Sequence, residues 1–425
     1  MTDAKSDTGL PPRVQRRFAA DITPLRESVP FRYFFAGQAV AVIGAQVTQV
    51  AVPLQVYEIS HSSLYVGLVG VASLVPLVVL GLYGGAIADA VNRRTMLLLT
   101  STGSGLVSVV LLIQAALGVN QLWLLYTCVV MQSSFFALDY PARRAILPQL
   151  MGRDRIAAAN TLFTGVFNFG LVLGPLIGGA TAGAFGFAAA YAIDVGTFVI
   201  ALVTVYLGLP SLPAAAGSRR AGLSSVIEGL RFLGGRKNLL MTFVHDINAM
   251  VFGMPRALFP VLAVTHFHGG RSTAGLLYSA PAIGALLIAI SGGWTSLVRR
   301  QGLAVVLAIA VWGTSIALFG FVHAIGLGVL LLAIAGAADA VSAIFRSTIL
   351  QVAAPVGMQG RLSGVFIVVV AGGPRLGDLE SGAVATAFTP TISVVSGGAA
   401  CLVGLVVLVA LVPSFLQYDA RHPTP

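Results

Sequence analysis

Apolar runs of about twenty residues recur twelve times along this chain, near 33–57, 64–88, 95–118, 122–142, 156–181, 187–209, 239–264, 272–293, 302–322, 325–349, 362–388 and 390–412. A run of that length crosses the ~30 Å hydrocarbon core of a bilayer as a helix. In lipid each backbone N–H and C=O must be satisfied within the membrane-buried structure itself, which for isolated apolar runs leaves the α-helix. The sequence therefore predicts an all-α membrane protein with twelve transmembrane helices. Composition agrees, with 57% hydrophobic and 9% charged residues against roughly 25% charged in a soluble domain.

One run breaks the pattern. Between Gly372 and Gly382 it reads GGPRLGDLESG and carries Arg375, Asp378 and Glu380. An ionised side chain at mid-bilayer costs at least ~2.5–3.5 kcal/mol on insertion scales, so such groups face a bundle interior or a water-filled path. Arg375 and Asp378 lie three apart on one helix face and are expected to pair, whereas Glu380 points some 200° away from Asp378 and is freer to titrate. The stretch is also a copy. LGPLIGG (Leu173–Gly179) and LGDLESG (Leu376–Gly382) share Leu, Gly, Leu and Gly at an offset of 203, and Val52-Pro53-Leu54 matches Phe259-Pro260-Val261 at 207. An apolar chain that repeats itself this way reads as a secondary transporter with two related six-helix bundles around a central site. The expected organisation is an N-terminal tail (1–32), a first bundle (33–209), a linker (210–238), a second bundle (239–412) and a C-terminal tail (413–425).

The net charge of +10 comes from arginines in the tails and in alternate loops, while the other loops hold only Arg271. That is the positive-inside pattern; it predicts both termini in the cytoplasm and excludes nucleic acid as the reason for the basicity. Lysine occurs only as Lys5 and Lys237, neither in a phosphate-binding loop, so pumping must draw on an ion gradient. Cys128 and Cys401 lie in apolar runs and read as packing residues. His266 and His268, in a loop without carboxylates, make a poor metal site. No metal or cofactor is expected. In the linker, SSVIEGLRFLGG places Val226, Ile227, Leu230 and Leu233 against Glu228 and Arg231 at helical spacing, predicting an amphipathic helix on the inner membrane surface.

Gly85-Ala86-Ile87-Ala88-Asp89-Ala90-Val91-Asn92-Arg93-Arg94, between the second and third runs, resembles the loop signature of the major facilitator superfamily, G-x-x-x-D-x-x-G-R-[RK]. Asn92 stands for the usual glycine and is expected to take the same left-handed turn. The resemblance implies that Gly85, Asp89, Arg93 and Arg94 form an inner gate, with Asp139 and Arg143 as partners. Gly170, Gly174, Pro175, Gly178 and Gly179 resemble the family's antiporter helix motif, whose glycine spacing permits close helix approach.

The superfamily lines its cavity with spans one, four, seven and ten. That resemblance places Gln38, Gln46, Gln49, Gln132, His245, Asp246, Asn248, Arg256 and Asp339 on the pathway, with Arg375 beside it. Well inside the spans, Asp194, Asp246, Asp339, Asp378 and Glu380 face only Arg256 and Arg375, so some carboxyls must be neutral or wet. Asp339 and Asp246 are the first choices as proton carriers, with Glu380, Asp378 and His245 behind them; Asp194 is expected to be structural. VPLQVYEIS, GAIADAVNRR, RAILPQL–GRDRIAAAN and the linker helix are similar to the enterobactin-exporter branch and its drug-efflux relatives. The arginine many drug exporters carry in the middle of span four is missing. The resemblance implies a proton-coupled exporter of a siderophore or amphipathic drug-like molecule in the cytoplasmic membrane, not an enzyme, working as a monomer. The alternatives are an importer or facilitator of a small metabolite on the same fold, and a non-transporting receptor or assembly partner.

Overall fold

The structure, a computed structural model, describes residues 21–151, 153–210, 223–355, 358–419 and 421. Among these the chain is helical, and the strand-like exception is an isolated bridge between Arg300 and Asp419. After a short turn α1 (Thr23–Glu27) come α2 (Val29–Ser60), α3 (Ser63–Ala90), α4 (Arg93–Ala116), α5 (Leu122–Leu150), α6 (Ile156–Phe185) and α7 (Phe187–Gly208). The linker holds α8 (Leu223–Gly234). The second half runs through α9 (Lys237–Phe252), α10 (Phe259–Thr265), α11 (Arg271–Ser291), α12 (Gln301–Phe319), α13 (Ile325–Ala353), α14 (Gln359–Ala387) and α15 (Pro390–Leu411).

Among the described residues eleven segments are long and apolar enough to cross a membrane, α9 and α10 counting as one. The remaining span is α14, whose 29 residues include the charged stretch and which packs along α3, α9 and α15. Helix starts follow local chemistry. Ser28 and Thr389 accept hydrogen bonds from the backbone N–H of Phe31 and Ile392, capping α2 and α15. Tight reversals at one end of the bundle use left-handed backbone at His61, Asn120, His268, Gly118 and Gly186; this is called the short-loop end, and the opposite one the basic end. Asn92 corrects the expectation made for it. Its φ is −57°, and its side chain caps α4 by accepting from Arg94 N–H (3.0 Å) and Thr95 N–H (3.4 Å).

Span seven was expected as one helix. It breaks instead, because Pro255 offers no N–H and its ring clashes with the carbonyl of residue 251, so α9 stops at Phe252 and a single 3₁₀ turn (Arg256–Leu258) leads into α10.

The internal repeat is visible in the packing. Gly174 of α6 lies against the backbone of α2 at Ile43, and Gly377 of α14 lies against α9 at Met250; a Cβ on either would strike that chain. Gly179 abuts α11 at Arg271 and Gly275, and Gly382 abuts α3 at Ser63 and Leu64. Each half thus contributes one glycine-bearing helix that grips its own first span and also crosses to the other half.

These crossings, α6 on α11 and α3 on α14, hold the halves together, and they tighten toward the short-loop end. A Cβ on Gly183 would come within 2.6 Å of Ser272, and one on Gly67 would strike the Asp378 carbonyl. Further toward the basic end, one on Gly372 would find only Leu74 at 3.8 Å, and those on Gly81 and Gly165 would meet nothing within 4 Å. The halves splay apart at the basic end. Beneath it α8 packs on α14 and α9, with Leu233 buried in the protein core while Ile227 and Leu230 stay exposed. One residue of the expected membrane-facing stripe is therefore a core residue.

Candidate transport site

The second half buries two charge clusters. In the first, Arg346 of α13 forms an ion pair with Asp246 of α9, and its other terminal nitrogen lies 3.5 Å from Asp339, two turns back on α13. The two acids are not equivalent. The side chains of Arg346 and Asp246 are 6% and 5% exposed, while that of Asp339 is 39% exposed. Asp246 is held close to the cation and Asp339 shares it from a longer distance and a less covered position. Sequence reasoning missed Arg346, although its place within the run 325–349 was a readable signal. His245, expected beside Asp246, turns elsewhere: its Nδ1 donates to the Met241 carbonyl (2.8 Å) and its ring stacks on Phe415 at 5.0 Å.

The second cluster lies nearer the short-loop end, where span seven breaks. The break frees the N–H of Ala257, which donates to Asp378 Oδ1 at 3.1 Å. Arg256 in the same turn reaches over the ring of Tyr278 at 5.7 Å. The ion pair expected between Arg375 and Asp378 is not formed. Arg375 instead donates from Nε to Ser73 Oγ across the halves (2.7 Å) and from Nη1 to the Ala371 carbonyl (2.6 Å). A hydroxyl on the neighbouring helix has won over the i,i+3 carboxylate. Arg256, beside Ala257, and Arg375, three residues before Asp378, are the cations placed nearest to it along these two elements. Glu380 points away from this group, and its Oε2 finds no donor among the described residues.

In the first half the buried acid is Asp194. Its Oδ2 accepts from Thr48 Oγ1 and Ser108 Oγ, both at 2.7 Å, tying α7 to α2 and α4, and Gln132 of α5 donates to the same Ser108 oxygen at 3.3 Å. A second network, unforeseen from sequence, joins Gln55, Gln114 and Tyr191. Of the other residues expected on the pathway, Gln46 is buried against Gly174, and Asn248 donates to the Cys401 carbonyl (2.9 Å), facing α15. Gln49 is exposed and Gln38 partly so, and an 11-residue spacing puts them within about 20° on one face of α2.

At the short-loop end Arg271 closes the path. It pairs bidentately with Glu58 of α2 (2.6 and 2.7 Å) and donates to the Ala182 carbonyl of α6 (2.6 Å), and its guanidinium lies over Phe187 at 4.3 Å. The N–H of Leu64 donates to Thr386 Oγ1 across the same end. Glu58 and Arg271 themselves, with Tyr57, His61 and Pro260, line a cavity of about 560 Å³ between the halves at this end. At the basic end Asp139 pairs with Arg143 and accepts from Thr100 Oγ1 at 2.9 Å; Arg93 of α4 is buried. The side chains of Gly85, Asp89 and Arg144 lie outside the described residues, so the Asp89 latch is not among the observed contacts.

A duplicated helical bundle, pinched at one end and carrying ion clusters at membrane depth, defines a solute transporter of the major facilitator superfamily. More narrowly, the chain belongs to the transmembrane secretion effector family, whose model matches residues 19–422. It is 29% identical over 419 residues to the enterobactin exporter EntS of Citrobacter koseri, covering 95% of this chain and 97% of that one. To the protein of that name from Shigella boydii serotype 18 it is 31% identical over 411 residues, covering 92% and 94%. Among solved structures it shares its fold with a POT family transporter in complex with 5-aminolevulinic acid (TM-score 0.73, 13% identity, 91% and 97% covered). It also shares it with a bacterial Spinster homologue described as inward-facing and unoccupied (TM-score 0.64, 14% identity, 92% and 96% covered).

Proposed function

We propose that this chain is a proton-driven exporter of a siderophore or a similar amphipathic small molecule, working across the cytoplasmic membrane with both termini in the cytoplasm. Export of that class of cargo draws its support from the exporter-named relatives. The geometry speaks to the driving force, and one observation carries it: Arg346 is shared by two carboxylates of unequal exposure. A buried guanidinium neutralises one acid. The second acid must be protonated, or stabilised by water, whenever its surroundings dry. Asp339 is the more exposed and more loosely held of the two, so it is assigned the proton, and Asp246 the role of holding Arg346 in place.

The positive arginine loops put the splayed end toward the cytoplasm. The site between the halves then loads from inside, and the halves rock about the α3–α14 and α6–α11 seams to expose it outside. The cargo leaves, Asp339 takes a proton from the more acidic side, and the return swing delivers that proton to the cytoplasm. Closing the cytoplasmic end would bring the Asp89–Arg93 loop against its partners near Asp139 and Arg143. The protein is expected to do this as a monomer.

Everted membrane vesicles test the reading. With an imposed acidic lumen, vesicles carrying the protein should accumulate an iron-chelating siderophore or an amphipathic dye, and a protonophore should abolish the accumulation. Accumulation that ignores the gradient would contradict the proton coupling.

A further inference from the structure

The two charge clusters of the second half have opposite balances. Around Arg346 stand Asp246 and Asp339, two acids to one base. Near Asp378 stand Arg256, in the same turn as the Ala257 N–H that donates to it, and Arg375, three residues earlier on α14, two bases to one acid, and Glu380 is on another face of α14. The base-rich cluster is short of one negative charge in a place where an unbalanced ion is costly.

The donors there are unevenly used. Arg375 spends Nε and Nη1 on Ser73 and Ala371, and Asp378 is occupied by the N–H of Ala257. Arg256 donates no hydrogen bond among the described residues; its one specific contact is the face of Tyr278, and it stays partly exposed. It also sits on the irregular turn of a broken membrane helix, packed between α3 of one half and α14 of the other, where transporters of this kind of architecture place their ligands. A planar fork with free donors, its Cζ 5.7 Å from an aromatic ring centre, suits a planar carboxylate-type anion attached to an apolar or aromatic body.

We propose that Arg256 anchors an organic anion, and that the cargo class is amphipathic compounds carrying such a group. This rests on the transport reading above and narrows it. The anion at Arg256 supplies the charge that the Asp378 cluster lacks, while the proton is handled separately at Asp339. Along span seven Asp246 and Arg256 are ten residues apart, on the order of 15 Å of helical rise, so the two sites are distinct places.

The test is equilibrium binding to the purified full-length protein in detergent, where no gradient is involved. Benzoate, salicylate and 1-naphthoate are titrated beside their neutral primary amides at neutral pH. The wild type should prefer at least one anion over its amide by roughly tenfold, the size of one charge-assisted fork pairing. Arg256→Gln should remove that preference, Arg256→Lys should keep part of it, and Asp339→Asn should leave it intact. A wild type that binds every amide as tightly as its acid overturns the proposal, as does an Arg256→Gln variant that keeps the preference. Should Arg256→Gln fail to give a monodisperse protein, the wild-type comparison and Arg256→Lys decide. Loss of gradient-driven export with the anion preference intact would fault the coupling scheme and leave this site standing.

Discussion

The matched stretches Leu173–Gly179 and Leu376–Gly382 do the same mechanical work with different chemistry. In each, glycines bring one helix against the first span of its own half and against the opposite half. Pro175 in the first copy and Asp378 in the second sit at the same step, and both lend a backbone carbonyl to the crossing, against Gly275 and Gly67 respectively. What differs is the side chain. The first half holds Asp194 with neutral hydroxyls and keeps its Asp139–Arg143 pair at the basic end, whereas the second half gathers acids and arginines into clusters within its spans. Backbone geometry is what the rocking seams need, so it is duplicated; charge is what coupling and recognition need, and it is concentrated in one copy.

This contrast can be broken from the second half first. Asp246→Ala removes the closer partner of the buried Arg346 and leaves it only Asp339 at 3.5 Å; breaking a buried pair costs up to about 3–5 kcal/mol. The expected result is a sharp loss of thermal stability in detergent. Next come the seams. Gly179→Val or Gly67→Val drives a side chain into opposing backbone, an overpacking of about 1–3 kcal/mol, and should prop the short-loop end open, measured as faster thiol labelling of a cysteine placed at His61. Asp194→Asn keeps one oxygen for the two hydroxyls that share Oδ2 but makes that acceptor neutral, costing about 1 kcal/mol, and should lower stability while sparing gradient-driven transport. Arg271→Gln should have the smallest effect on stability, since partly exposed pairs contribute about 0–1 kcal/mol, although labelling at the short-loop end should still rise slightly.

The architecture was legible because lipid leaves an apolar run few choices, and the repeat was legible because glycine and leucine recurred in register. Two features were not. The break in span seven needed Pro255 and Gly253 to be weighed against a strongly apolar window, and hydropathy alone cannot register a lost hydrogen bond. The charge census was off by one because Arg346 sits near the basic end of its run, where an arginine reads as a loop residue. Pairing was also misjudged for Arg375, since spacing along one helix reveals nothing of Ser73 on another. The unequal exposure of Asp246 and Asp339 is a tertiary fact with no sequence trace.

The claim at the centre is that Asp339 carries the coupling proton while Asp246 anchors Arg346. In proteoliposomes, Asp339→Asn should lose proton-gradient-driven accumulation of cargo but keep cargo-for-cargo exchange across the membrane. Accumulation at the wild-type level in that variant would contradict the account.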